Sequence, residues 1–460
     1  MKGYTLTAAG GVGNATGANF LLRTPDMSIL VDCGLVQGSH FAVEENREAF
    51  PYKPSEIAAL FITHAHMDHI GRVPKLVKEG FAGPIYSTPA TRELAALMFD
   101  DALGLLEREA RESGKDPLYV REDVVRALSL WKAIEYRTPF ELSKDVSVYA
   151  KDAGHVLGSA ILEFALHGAN GGKGRTIAFT GDLGNSPTPL LPDTEYVEGA
   201  DYMVMESVYG DRNHEPKDVR DQRLRQILGD AMRRGGTVVI PAFSLERTQV
   251  ILYEINNLVE ANQLPRVPIY LDSPLAIKIT GVYRSHIRDF NERIKAATAG
   301  GDDIFDFPGL RVVADHSGSE AIHADKGPKI VIAGSGMSVG GRVLSHEAFY
   351  LQDPNATILL VGYQVPGSLG RRIEEKAAKV TIAGETIAVR ARIEKISGYS
   401  SHKDSDHLVE FVEHAVRAGR LQAVWVAMGE NKSSAFLAQR LRDELDVDAM
   451  VAEKNKEYPL

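Results

Sequence analysis

The stretch Ala58-Ala59-Leu60-Phe61-Ile62-Thr63-His64-Ala65-His66-Met67-Asp68-His69 decides how the rest of the chain is read. A short apolar run of this kind reads as a buried strand, and its end delivers three His and one Asp within six positions. Imidazole nitrogens and carboxylates are the ligands zinc takes when thiolates are absent, and a rigid strand end holds them convergent. Thiolates are absent here. Cys33 is the single Cys among 460 residues that include 14 His, so neither an intramolecular disulfide nor a Cys-based cluster can form, and a reducing cytosol is expected.

Working outward, Phe20–Arg23 and Ser28–Val31 read as further strands, the second ending in Asp32. Downstream, His155 lies in Ala-Gly-His-Val-Leu-Gly-Ser-Ala and Asp182 in Phe-Thr-Gly-Asp-Leu-Gly, each at a glycine-flanked turn beside a strand. Taken singly these are ordinary turn residues. Together, in this order behind the first motif, they complete a His/carboxylate set.

The rest of the chain supplies the frame. Residues 89–136 have helical period, strands return at 146–149, 160–166, 176–180 and 202–205, and helix-to-strand units run from about 210 to 390. These include helices at 246–261, 275–296 and 341–350. The tail reads as a strand at 386–395, a helix at 405–417, a strand at 422–427 and a helix at 433–444. Gly168–Gly174 reads as a hairpin loop. The net charge of −10 means that any nucleic-acid contact needs local positive potential. No apolar run reaches the ~18 residues of a membrane span, and a cytoplasmic location without membrane contact is expected.

The order Asp32, His64-x-His66-x-Asp68-His69, His155, Asp182 resembles motifs one to four of the metallo-β-lactamase fold. The resemblance implies an αβ/βα sandwich with two zinc ions at one edge: His64, His66 and His155 on one ion, Asp68 and His69 on the other, Asp182 bridging, and Asp32 orienting a ligand His. Glu206 in Met-Glu-Ser-Val-Tyr-Gly and His402 in Gly-Tyr-Ser-Ser-His-Lys-Asp resemble motifs A and B of the β-CASP nucleases, the branch that includes ribonuclease J and the nuclease subunit of the mRNA 3′-end cleavage factor. Pro-Ala-Phe-Ser-Leu-Glu-Arg-Thr-Gln (241–249), Ala-Gly-Ser-Gly-Met (333–337), Gly-Gly-Arg-Val-Leu (340–344) and Gly-Tyr-Gln-Val-Pro-Gly-Ser-Leu-Gly-Arg-Arg (362–372) look like the same branch. The expected organisation is a metallo-β-lactamase domain at 1–209 and 391–460 with an inserted β-CASP cap at 210–390. Single-stranded RNA is then expected as substrate, entering between the two; whether the chain forms a homodimer stays open.

The glycine segments have a chemical sense of their own. Gly334-Ser335-Gly336 exposes backbone N–H groups after a strand, and Gly340-Gly341 opens a helix, so both are candidate phosphate cradles. Ser335, Gly336, Arg247, Arg342 and His346 are therefore expected to contact substrate, with Arg371 and Arg372 adding positive charge. His40, His167, His214, His286 and His323 read as ordinary surface residues.

One departure matters. Where the family usually places a further His ligand before Gly-Glu, this chain has Val426-Ala427-Met428-Gly429-Glu430, and no His follows His414. A thioether is a poor zinc ligand, so weaker loading of the second site is expected, with Glu430 a minor candidate to reach in. Three protein ligands and water still make a catalytic zinc site. The resemblance implies RNA phosphodiester hydrolysis by a hydroxide that two metal ions about 3.5–4 Å apart generate. Asp68 would orient it, and His402 with Glu206 would protonate the leaving oxygen. A catalytically weakened RNA-binding scaffold and a DNA-directed nuclease are the alternatives, and endonucleolytic against 5′-exonucleolytic cleavage stays open.

Overall fold

A computed structural model describes residues 3–38, 42–167, 174–365 and 367–460. The hairpin loop expected at 168–174 falls almost wholly outside them, as does His40. The chain divides into two compact units, Met1–Asn213 with His402–Leu460, and His214–Ser401.

The first unit carries two seven-stranded sheets. One runs in the order Glu457–Pro459, Thr5–Gly10, Asn19–Arg23, Ser28–Val31, Ile57–Phe61, Ile85–Ser87, Trp131–Ala133. The other runs Asp448–Val451, Ala423–Val426, Tyr202–Met205, Arg175–Phe179, Ala160–Leu166, Val146–Asp152, Phe140–Ser143. Their alternating apolar residues face one another in a single core that contains Leu22, Phe61, Phe164, Phe179 and Trp425. Phe61 meets Phe164 edge-on at 5.1 Å, and Phe164 meets Phe179 edge-on at 5.6 Å, the arrangement that ring quadrupoles prefer.

Helices cover the outer faces. Ser405–Arg417 places Leu408, Phe411, Val412 and Ala415 at helical spacing on one stripe, against Ile161, Met203 and Val424 of the second sheet. Asp404 caps its start by accepting from the His407 N–H at 3.2 Å. On the other sheet, Pro89–Ser113 sets Phe99 against Trp131.

Strand register decides where the chemistry falls. Ser28–Val31 and Ile57–Phe61 are parallel with Val31 opposite Phe61, so Asp32 and Thr63-His64 leave their strands side by side. In the second sheet Arg175–Phe179, Tyr202–Met205 and Ala423–Val426 are also parallel, so Asp182, Glu206 and Met428 follow the same ends of three neighbouring strands. Asp152 pairs with Ala160 across the hairpin whose turn holds His155.

The second unit is built on a parallel six-stranded sheet, Leu310–Val312, Ile269–Asp272, Lys329–Ala333, Thr237–Pro241, Thr357–Leu360, Arg392–Lys395, with a separate hairpin of Lys379–Ile382 and Glu385–Ala388. The single strand expected at 386–395 is therefore two. Its second half pairs with Thr357–Leu360. The helix expected at 275–296 is also two, Pro274–Ser285 and Glu292–Ala299, because His286–Phe290 forms a tight turn and Asn291 caps the second helix on the Ile294 N–H.

Candidate metal centre

Three loops of the first unit bring together the residues expected to hold metal. His64 Nε2 lies 3.1 Å from His66 Nδ1 and 3.4 Å from Asp182 Oδ2, and His155 Nε2 lies 3.3 Å from His66 Nδ1 and 3.5 Å from Asp182 Oδ2. Nitrogens held about 2.0–2.1 Å from a tetrahedral zinc would stand roughly 3.3 Å apart, which is the spacing seen. Asp68, His69 and the second oxygen of Asp182 form an adjoining set, and Asp182 joins a third with Glu206 and His402.

Two of the imidazoles are kept neutral, as ligation requires. Burial, reinforced by His64, pushes His66 well below the usual imidazole range, and burial with His402 does the same to His155, so both present lone pairs. Burial opposes charge on Asp182 too, but His69 and His64 together hold its carboxyl well below the usual range. His69 Nε2 and Asp182 Oδ1 are 3.3 Å apart, buried, and without a hydrogen bond. Two such orphaned groups aimed at one point are what an absent cation would satisfy. The residues present therefore fit a metal in both positions.

Behind the ligands lies a bracing layer. Asp32 accepts from the Thr63 N–H and hydroxyl, each at 2.8 Å, and lies 2.7 Å from His69 Nδ1. Asp182 and Asp32 outweigh burial and raise His69 above the usual imidazole range; with Nδ1 on Asp32, its Nε2 is turned toward Asp182. Thr63 also contacts His64 Nδ1 at 3.1 Å. It reads in the sequence only as a strand-ending residue, and its bracing role shows only when the strand ends are set side by side. Gly181 has φ 54°, and a Cβ there would stand 2.7 Å from the Thr63 side chain, so glycine is what lets Asp182 approach.

His402 and Glu206 form a buried pair beside the cluster. His402 Nδ1 lies 3.1 and 3.2 Å from the two Glu206 oxygens and 3.9 Å from Asp182 Oδ2. Burial disfavours the imidazolium, yet Glu206 and then Asp182 raise His402 to about 9. The Leu183 N–H fixes Glu206 by donating to Oε1 at 2.6 Å. Met428 lines a cavity of about 10 Å³ together with Asp32, Thr63, His69 and Glu206, and its backbone N–H donates to Gly11.

The expected substrate contacts in the second unit stand differently. His346 is fully buried, with Nε2 2.7 Å from Asp272 and Nδ1 3.0 Å from His323, so the structure places it in a buried network and not on an open surface. Arg342 is committed to Asp272 at 2.5 Å and to the carbonyls of Val313 and Ala314. Arg247 is buried at the start of its helix. Ser335 and Gly336 do lie in the loop between strand Lys329–Ala333 and helix Val343–Tyr350, where Ser335 Oγ accepts from the Val339 N–H. Asp272, the hub of this network, went unread because its partners are 47 to 74 positions away. His286 is buried beside Asp289, not on the surface, and His323 is half-buried, stacked on Phe349.

A two-sheet sandwich whose strand ends converge on such a cluster defines a metal-dependent hydrolase of the metallo-β-lactamase type. The description of the metallo-beta-lactamase superfamily matches residues 15–241, that of the Beta-Casp domain 248–373, and that of the Zn-dependent metallo-hydrolase RNA specificity domain 386–452. The chain belongs to the β-CASP branch of the metallo-β-lactamase superfamily. It is 37% identical over 404 residues to ribonuclease TTHA0252 of Thermus thermophilus, covering 88% of this chain and 89% of that one. It is 30% identical over 458 residues to the transcription termination factor FttA of Methanosarcina mazei (96% and 69%), and 29% identical over 449 residues to an RNase J-like protein of Methanocaldococcus jannaschii (95% and 96%). A solved structure of a protein of unknown function from Enterococcus faecalis V583 shares the fold over the whole of both chains, with a TM-score of 0.58 at 12% identity.

Proposed function

We propose that this chain is a cytoplasmic ribonuclease that hydrolyses phosphodiester bonds of single-stranded RNA. The observation that carries the reading is the juxtaposition, at Asp182, of the His/Asp cluster with the His402–Glu206 pair, in a chain whose relatives include a named ribonuclease. Zinc held by His64, His66, His155 and Asp182, and a second ion held by Asp68, His69 and Asp182, would supply Lewis acidity and bring the pKa of water toward neutrality.

The protein's own groups do the rest. His402, kept protonated by Glu206, delivers a proton to the leaving oxygen. Asp68, set beside His69 and Asp182, would also orient the nucleophilic water. Asp32 and Thr63 hold His69 and His64 in place. That the six His and Asp candidates are present, with only the Met428 position changed, favours an active enzyme over a scaffold.

The test is cleavage of 5′-labelled RNA against matched single-stranded DNA, with added zinc or manganese. His402→Ala is expected to slow RNA cleavage by about 10²–10⁴-fold with RNA binding retained, and Asp182→Ala to abolish both cleavage and full metal loading. Wild type that loads metal yet cuts no RNA overturns the proposal.

A further inference from the structure

Phe243 is a large apolar side chain left 39% exposed, and the second unit spends structure on keeping it so. It follows strand Thr237–Pro241, and its carbonyl accepts from both the Thr248 N–H at 3.1 Å and the Thr248 hydroxyl at 2.7 Å, which ties it to the first turn of helix Arg247–Glu260. One side of the ring rests on glycine backbone. A Cβ at Gly336 would stand 2.7 Å from the ring and 2.8 Å from the Phe243 backbone nitrogen, and one at Gly362 would stand 3.8 Å from the ring. A side chain at position 336 would therefore push the ring away.

Polar groups stand in the same loop cluster. Ser244 Oγ and Ser273 Oγ lie 3.3 Å apart in the same loop cluster, both within 3.4 Å of where a Cβ on Gly334 would stand. A protein partner's apolar patch would want apolar neighbours around the ring. An exposed ring backed by glycine, with hydroxyls in the same loop cluster, fits a flat ligand carrying its own polar edge and phosphate or ribose groups. Because the backbone that carries the ring is tied to the helix and glycine lies behind it, stacking costs less ordering than on a free loop.

Resting on the ribonuclease reading, we propose that Phe243 is a stacking platform for one unpaired nucleobase of the RNA. Such a contact accepts any base, because every base has a π-face, and it rejects duplex, whose bases are already stacked. In a chain of net charge −10 it supplies attraction that phosphate neutralisation cannot.

The test separates binding from cleavage. In full-length protein carrying His402→Ala to prevent turnover, anisotropy of a fluorescein-labelled short uridine RNA reports affinity, alongside the same RNA with one abasic site at successive positions. Phe243→Ala is expected to weaken binding by about 5- to 100-fold, Phe243→Trp to stay within about threefold, and Phe243→Leu, which keeps apolar bulk on Gly336 without a flat face, to resemble Phe243→Ala. One abasic position should cost the parent a similar factor and cost Phe243→Ala nothing further. Thermal melts establish that each variant is folded, and Phe243→Leu carries the test if Phe243→Ala does not fold. Equal affinity of parent and Phe243→Leu, or an abasic penalty unchanged by the substitution, overturns the platform while leaving the ribonuclease reading intact if wild type cuts RNA. Wild type that neither binds nor cuts RNA overturns both.

Discussion

Asp32 sits at φ 60°, in the left-handed region that Asn and Asp enter more readily than other side chains. Asp32→Asn should therefore keep the backbone, but an amide holds the His69 Nδ1–H less firmly than a carboxylate. Expected is a loss of about 10–100-fold in affinity for the more weakly held zinc with an unchanged circular dichroism spectrum, read by titration against a chromogenic chelator. Met428 shares the left-handed conformation, at φ 47°, and His is among the residues enriched there. Met428→His is accordingly tolerated by the backbone and places an imidazole beside the second set of ligands. Zinc content after dialysis is expected to rise from below two per chain to two; equal full loading of both proteins would remove the idea that Met428 weakens the second site.

At the scale of an element, helix Val343–Tyr350 pins the glycine loop before it, because Ser338 donates to Glu347 Oε1 at 2.5 Å. Burial raises Glu347 to about 7, and Oε2 has no partner. A carboxyl whose folded pKa exceeds its unfolded one gives stability that is fully present below about pH 4.5 and lost as pH climbs to about 7. Glu347→Gln removes that slope. Between pH 5 and pH 8 its stability relative to wild type should improve by about 2–3 kcal/mol in denaturant melts. A flat difference would mean that Glu347 stays ionised throughout. Elements also mark what the sequence could reveal. The His64–His69 cluster was legible because a strand end fixes its spacing, and helix 405–417 because its apolar stripe is unbroken. Short strands such as Ile85–Ser87 and Trp131–Ala133 carry too few residues for period to show. Phe243 looks like any apolar residue after a strand, and its exposure follows from Gly336, nearly a hundred positions away.

For the whole molecule, a net charge of −10 and the commitment of its arginines bear on how RNA is held. Arg342 is bound to Asp272, Arg371 pairs with Glu375 at 2.8 Å, and Arg247 is buried. With these three engaged, phosphates must be met by other Lys and Arg side chains, and each one that neutralises a phosphate would contribute about −0.7 to the log–log slope of affinity against salt for a single strand. If stacking carries much of the affinity and roughly three phosphates are neutralised, the slope is about −2, shallow for a nucleic-acid-binding protein. Stacking on Phe243 is insensitive to salt, so Phe243→Ala should lower the affinity by the same factor at every salt concentration and leave the slope in place. A slope steeper than about −5 would mean that phosphate neutralisation dominates, and that surface cations gather on RNA more strongly than their present ion pairs imply.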